Sequence, residues 1–182
     1  MKISITGPRS VGKTTISKKL AEKLGKKFYS SDEIADKELK NEGGLDASMK
    51  AGSISDFIKN RSVPMVKEVF EEDNFVLELA GGSVASSKYP EETSKIREIA
   101  REDSFFIGLL PSDDREESIS FLYEREKDRN HFKGERHNDL YEKTKKDYQK
   151  FPEILQENCD LIVYVQGKSS EEIVREIEQK IS

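Results

Sequence analysis

Cysteine is nearly missing: Cys159 is the sole one in 182 residues. An internal disulfide is thereby excluded, which suits a reducing compartment. Cys159 itself is expected to be a small packed residue rather than a reactive thiol. No apolar run approaches the ~18 residues of a membrane span. The opening MKISIT lacks the apolar core of a secretory leader and runs straight into a strand-like pattern. A soluble, cytoplasmic protein with no membrane partner is expected. Charge of one sign is not in large excess either. The net charge of −5 gives no overall draw toward nucleic acid, so none is expected as a partner. Internal repeats, low-complexity linkers and any Cys/His cluster are absent. His131 and His137 stand in a loop-like stretch without the spacing of a metal site.

What is abundant is charge of both signs, 37% of the residues, against about 25% in an average soluble domain. This reads as solvated helix faces around one domain over 1–182. Short apolar runs at 2–6, 26–30, 74–80, 104–110 and 160–166 read as strands. Between them lie helical periods. Ile16, Leu20 and Leu24 share a face, as do Ile96, Ile99 and Ala100 after Pro90. Ile173, Ile177 and Ile181 follow Ser169-x-x-Glu172, a capping box. Strands alternating with helices predict a three-layer α/β fold on a mostly parallel sheet. Residues 41–53 read as a loop. Residues 127–140 interrupt a helix inside a segment, 115–150, in which 19 of 36 residues are charged. That segment is either a solvated helical hairpin or a mobile lid bringing arginines over a phosphate.

The stretch GPRSVGKTT, residues 7–15, decides between classes of function. Gly7-x-x-x-x-Gly12-Lys13-Thr14 has the Walker A spacing and sits between a predicted strand and a predicted helix. Glycines let backbone wrap anionic oxygens, and the helix N-terminus adds donors and partial positive charge. Lys13 supplies a point charge for the β- and γ-phosphates, and the Thr14 hydroxyl is a Mg²⁺ ligand type. Arg9, Val11 and Thr15 complete the candidate nucleotide loop. No N-K-x-D base-reading motif is present, which argues against a G-domain. The chain is also short for a motor ATPase. A small-molecule kinase fits, because a lid excludes water that would compete with the acceptor.

Three stretches carry a family likeness: ITGPRSVGKTTISKKLAEKLGKKFYSSDEI, FVLELAGGSV and NDLYEKTKKDY. On them the chain resembles the shikimate kinases, within the nucleoside-monophosphate-kinase-like group. The resemblance implies a three-layer αβα P-loop kinase fold, a five-stranded parallel sheet in order 2-3-1-4-5 and a small helical lid over 126–140. It implies an acceptor-binding subdomain over 33–61, with ATP and Mg²⁺ as cosubstrate and cofactor. The family's D-x-D after the second strand is here Ser30-Ser31-Asp32. Its Phe-Arg pair, whose arginine grips the shikimate carboxylate, is Phe57-Ile58, with Arg61 one turn on. Its three glycines after the third strand are Ala80-Gly81-Gly82, and its late arginine is displaced to Arg136. Guanidinium recognition is not replaced by isoleucine, so these departures weigh against shikimate itself.

Individual residues carry competing readings. Asp32 orients or deprotonates an acceptor hydroxyl, or merely caps a helix over 33–40. Glu78, a carboxylate in an apolar strand, assists Mg²⁺ in place of the charge absent at Ser30, or lies on a polar strand face. Gly81 and Gly82 admit an acceptor, or form a plain turn. By the resemblance, Arg125 stacks on adenine and Gln166 and Gly167 contact it. Arg129 reaches the transferred phosphoryl, while Arg61 and Arg136 bind the acceptor. Each arginine is otherwise a surface ion pair. The expected activity is ATP-dependent phosphoryl transfer to a small hydroxylated metabolite, by a monomer or homodimer. A nucleoside or nucleoside monophosphate kinase, and a non-catalytic nucleotide switch, remain open.

Overall fold

A computed structural model describes residues 1–127 and 137–181. Five short strands form one parallel sheet: β1 (Ile3–Thr6), β2 (Lys27–Ser30), β3 (Phe75–Glu78), β4 (Phe105–Leu110) and β5 (Leu161–Tyr164). Their order is β2-β3-β1-β4-β5, as the resemblance implied. Each falls inside a run read as a strand from sequence. Ile3, Ile5, Phe75, Val76, Phe106, Ile107 and Leu109 are fully buried. Such runs suit a parallel sheet covered on both faces.

The helices are α1 (Lys13–Leu24), α2 (Ser31–Glu38), α3 (Leu45–Ala51), α4 (Ile54–Phe70), α5 (Gly81–Ala85) and α6 (Pro90–Asp103), followed by α7 (Arg115–Glu126), α8 (His137–Tyr148), α9 (Phe151–Asn158) and α10 (Ser170–Ile181). Helix α1 packs with α10, while α6 packs with α4 and α9, which builds the outer two of three layers. The capping box forms as expected: Ser169 N–H donates to Glu172 Oε2 at 2.7 Å, and Glu172 N–H to Ser169 Oγ at 3.2 Å. Pro90 occupies the first turn of α6. Cys159 is half-buried, and burial together with Asp160 pushes its thiol far above the ordinary value, away from thiolate chemistry.

Two expectations are corrected. Residues 41–53 are not a loop: they hold the end of a 3₁₀ turn (Lys40–Glu42) and all of α3. Glycines at 43, 44 and 52 masked the short helix, and all three have positive φ. Leu45 N–H donates to Asp36 Oδ1 at 2.8 Å, tying the start of α3 to α2. The cap of α2 is Ser30 rather than Asp32. Ser30 is extended, and its Oγ accepts from Glu33 N–H at 3.4 Å. Asp32 is left in the first turn with its carboxylate uncommitted to capping.

Helix α4 crosses the boundary set at residue 61 and continues to Phe70. Its first half carries half-buried Phe57 and Ile58, and its second half buries Met65, Val66, Val69 and Phe70 in the core. Between the halves stands Pro64, which has no N–H to return to the carbonyl of Asn60.

Candidate active site

Parallel register brings the carboxyl ends of β1, β2 and β3 together, where open α/β sheets bind ligands. Ser30 and Ile5 are both register partners of Glu78. The loop over residues 7–12 leaves β1 here and turns into α1. Gly12 adopts φ 107° before the first helical residue, Lys13. No side chain caps α1 and its first turn holds no acidic residue. Its leading N–H groups are therefore directed at whatever lies before the helix. Gly7 is needed for close approach, since a Cβ there would lie 2.4 Å from the Leu109 carbonyl oxygen. Neither Gly7 nor the buried Val11 lines the cleft; both hold the loop from behind.

The cleft in front of the loop encloses about 1210 Å³. Arg9, Lys13, Thr14, Thr15, Asp32, Glu78 and Gly82 all line it, as does Gly81. Lys13 Nζ donates to the Pro8 carbonyl at 3.0 Å. Thr14 Oγ1 donates to Glu78 Oε1 at 2.7 Å. Glu78 is only 5% exposed, and its second oxygen, Oε2, is buried without a hydrogen-bond partner. A buried carboxylate with one idle oxygen beside the Walker A hydroxyl is the donor set that a hard divalent cation takes. Among the described residues no group of three His, Cys, Asp or Glu side chains gathers to hold a metal.

Asp32 opens onto the cleft yet is crowded by protein around its carboxyl. This crowding raises its pKa above the ordinary carboxylate value. Asp46 pushes in the same direction, while Lys13 and Arg9 pull the value down. The carboxylate thus shares its electrostatic environment with both cations of the loop. Arg9 Nε also stands 4.0 Å from Oε1 of buried Glu126, whose other oxygen accepts from Thr144 Oγ1 at 3.1 Å.

Gly81 is packed so closely that a Cβ would meet the Gly7 carbonyl oxygen at 2.6 Å and Phe151 Cζ at 2.9 Å. Gly82 faces open space. Ser31 Oγ accepts from Ala80 N–H at 2.9 Å, locking the end of β2 to the end of β3 beside these glycines.

Arg61 is turned elsewhere. Its guanidinium forks onto Glu38 at 2.9 and 3.0 Å and reaches Glu68 at 3.4 Å, outside the cleft lining. In its place the side of the cleft formed by α3 and α4 is apolar: Leu45, Met49, Ile54, Phe57, Ile58 and Met65 line it. Met49 is 56% exposed, and Met1 is the other large exposed hydrophobe among the described residues. Lys37 and Lys88 line the cleft as point charges, and Arg9 is the guanidinium found there among the described residues.

A second hollow of about 730 Å³ lies behind the loop, lined by Phe121, Arg125 and Gln166 among others. Arg125 lies 4.5 Å over the Phe121 ring and donates to the carbonyls of Ser10 and Val11 at 3.1 and 3.3 Å. Arg125 and Gln166, which the resemblance assigns to adenine, share this lining with Asp114, Glu116, Glu117 and Glu124. Gln166 N–H is already given to the Pro111 carbonyl at 2.9 Å, and Gly167 is absent from the lining. Arg129, Arg136 and most of the 126–140 segment lie outside the described residues.

Sequence reasoning missed Ser10, Asp46 and Met49. Ser10 lies inside the loop motif at a position the pattern leaves free, yet it adopts φ 66° with a buried hydroxyl that has no partner. Asp46 and Met49 sit on α3, the helix hidden by flanking glycines.

The shikimate kinase family model matches residues 9–182. Shikimate kinase 1 of Salmonella newport (strain SL254) is 33% identical over 84 residues, which cover 46% of this chain and 47% of that enzyme. The chain thus matches about half the length of these curated relatives. A shikimate kinase from Acinetobacter baumannii, solved in complex with shikimate, superposes with a TM-score of 0.73 at 22% identity, over 99% of this chain and 92% of that one. A shikimate kinase from Bacteroides thetaiotaomicron does so with a TM-score of 0.74 at 17% identity, over 100% and 98%. At such identities the superpositions establish the fold.

Proposed function

Because the chain belongs to the shikimate kinase family, we propose that it transfers the terminal phosphoryl group of ATP to a hydroxyl of a small metabolite. One observation carries the reading: Asp32 opens onto the same cleft as Lys13 and Thr14, and its charge is coupled to Lys13 and Arg9. A nucleotide switch needs no carboxylate poised there.

In this reading the α1 N-terminus and the loop amides hold the phosphates, and Lys13 leaves the Pro8 carbonyl for the β- and γ-oxygens. Thr14 and Glu78 are the residues that would hold Mg²⁺, which when bound neutralises charge on the transferring group. Asp32 orients the acceptor hydroxyl and takes up its proton. Gly82 leaves room for the acceptor to approach. Arg125 and Gln166 face the base, and Arg129 and Arg136 are proposed for the phosphoryl and acceptor. Positioning and electrostatics do most of the work, since phosphoryl transfer needs little covalent help.

Shikimate is not the favoured acceptor. Ile58 stands at the wall and Arg61 is held by Glu38. Phe57 and Tyr89 in the cleft lining favour a second reading, a nucleoside or nucleoside monophosphate kinase with its base on the apolar wall.

An ADP-release assay across shikimate, nucleosides, nucleoside monophosphates and sugar acids tests the proposal, with Lys13→Ala as control. Release stimulated by an acceptor and abolished in Lys13→Ala is expected. Tight nucleotide binding with no stimulation by any of them would instead support the switch.

A further inference from the structure

We propose that the Ser10 hydroxyl donates a hydrogen bond to the terminal phosphoryl group of the bound nucleotide, an assignment that rests on the phosphotransfer reading. Ser10 carries two local costs at once. Its backbone is left-handed, at φ 66°, the one non-glycine residue so placed among those described. A side chain there is strained where glycine would not be. Its side chain is only 8% exposed and its Oγ has no hydrogen-bond partner, a penalty that glycine would also avoid. Nothing in the fold repays either cost. The Ser10 carbonyl is engaged by Arg125 at 3.1 Å, which fixes the peptide and leaves the hydroxyl as the group without a role.

The surroundings say which phosphate it meets. Lys13 Nζ lies on the Pro8 carbonyl, so residues 8–10 form the side of the cradle that the lysine serves, the β/γ end. Arg9, next in sequence, acts on Asp32, the acceptor's carboxylate. Ser10 lines this cleft. A hydroxyl donating to an anionic oxygen makes a charge-assisted bond, stronger than a neutral one. The side of the cradle it shares with Lys13 directs it to the phosphoryl that is passed on.

Calorimetric binding of ADP and of an imidotriphosphate ATP analogue, both with Mg²⁺, to wild type, Ser10→Ala and Ser10→Gly tests this. Both variants are expected to lose about tenfold in affinity for the analogue and less than twofold for ADP. Ser10→Gly relieves the backbone and should melt higher than wild type, so it carries the test if Ser10→Ala folds poorly. Analogue binding by Ser10→Gly equal to wild type overturns the proposal, because the hydroxyl is then dispensable. Equal losses for ADP and the analogue overturn it too, since the contact is then not terminal. Wild type that binds neither nucleotide removes the phosphotransfer reading itself.

Discussion

Replacing Glu78 by glutamine separates a charge that serves a cation from a polar group that serves the strand. The side chain keeps its shape, and Thr14 Oγ1 keeps an acceptor at 2.7 Å. What changes is the strength of that bond, from about 1.5–3 kcal/mol for a charged acceptor toward about 0.5–1.5 kcal/mol for a neutral one. Against this, the fold no longer buries a charge, although the amide NH₂ brings two donors to the place where Oε2 has no partner. The two effects are of similar size and opposite sign, so the melting temperature should move by no more than about 4 °C. Nucleotide binding should not be so balanced. If Glu78 orients the cation with Thr14, losing its charge weakens Mg²⁺ coupling by about 10–100-fold. Without Mg²⁺ the sign reverses, because the wild-type carboxylate repels the phosphates and glutamine does not. Calorimetric titration of the ATP analogue in Mg²⁺ and in EDTA reads both arms. An identical Mg²⁺ dependence in wild type and Glu78→Gln would refute the assignment and leave Glu78 as a polar residue of β3.

Four other substitutions follow from the geometry. Asp32→Asn should abolish acceptor-stimulated ADP release, and in wild type the acidic limb of the pH–rate profile should lie above the ordinary carboxylate value of about 3.9. A carboxyl raised in the folded state favours folding at low pH and loses that contribution as pH rises through its folded pKa, so Asp32→Asn should melt higher than wild type at pH 7 and converge with it below about pH 3.9; a variant melting lower at pH 7 contradicts the crowding described for Asp32. Gly81→Ala puts a methyl 2.6 Å from the Gly7 carbonyl oxygen and should cost about 1–3 kcal/mol by denaturant titration, with weakened ATP binding, whereas Gly82→Ala should fold normally. Arg61→Ala removes an exposed fork on Glu38 and should leave stability by denaturant titration nearly unchanged, with an unchanged KM for the acceptor; a large rise in KM would place Arg61 in the cleft after all.

The layered sheet was legible because parallel strands buried on both faces are written as apolar runs, such as FVL and FFIGLL, punctuated by helical periods. The phosphate loop was legible because its chemistry is local, with donors and hydroxyl supplied by neighbouring residues. Long-range pairings were not. No periodicity announces that Arg61 prefers Glu38, 23 residues away, to an acceptor. Nor does it announce that Thr14 and Glu78, 64 apart, meet at 2.7 Å. The sequence offers only separate readings of the two toward Mg²⁺. Helix α3 escaped because its seven residues are too few to show a period and glycines bracket it. The capping alternative offered for Asp32 lies two residues past the cap at Ser30 because serine and aspartate both serve, and only backbone conformation chooses between them.

Pro64 gives α4 two loyalties. Below it, Met65, Val66, Val69 and Phe70 are committed to the interior, and changes there are felt by the whole sheet. Above it, Phe57 and Ile58 line the cleft, and the helix lacks the bond that Pro64 cannot give to the Asn60 carbonyl. Substitutions in the upper turns can therefore reshape the cleft wall while the lower turns, fixed in the core, hold the sheet.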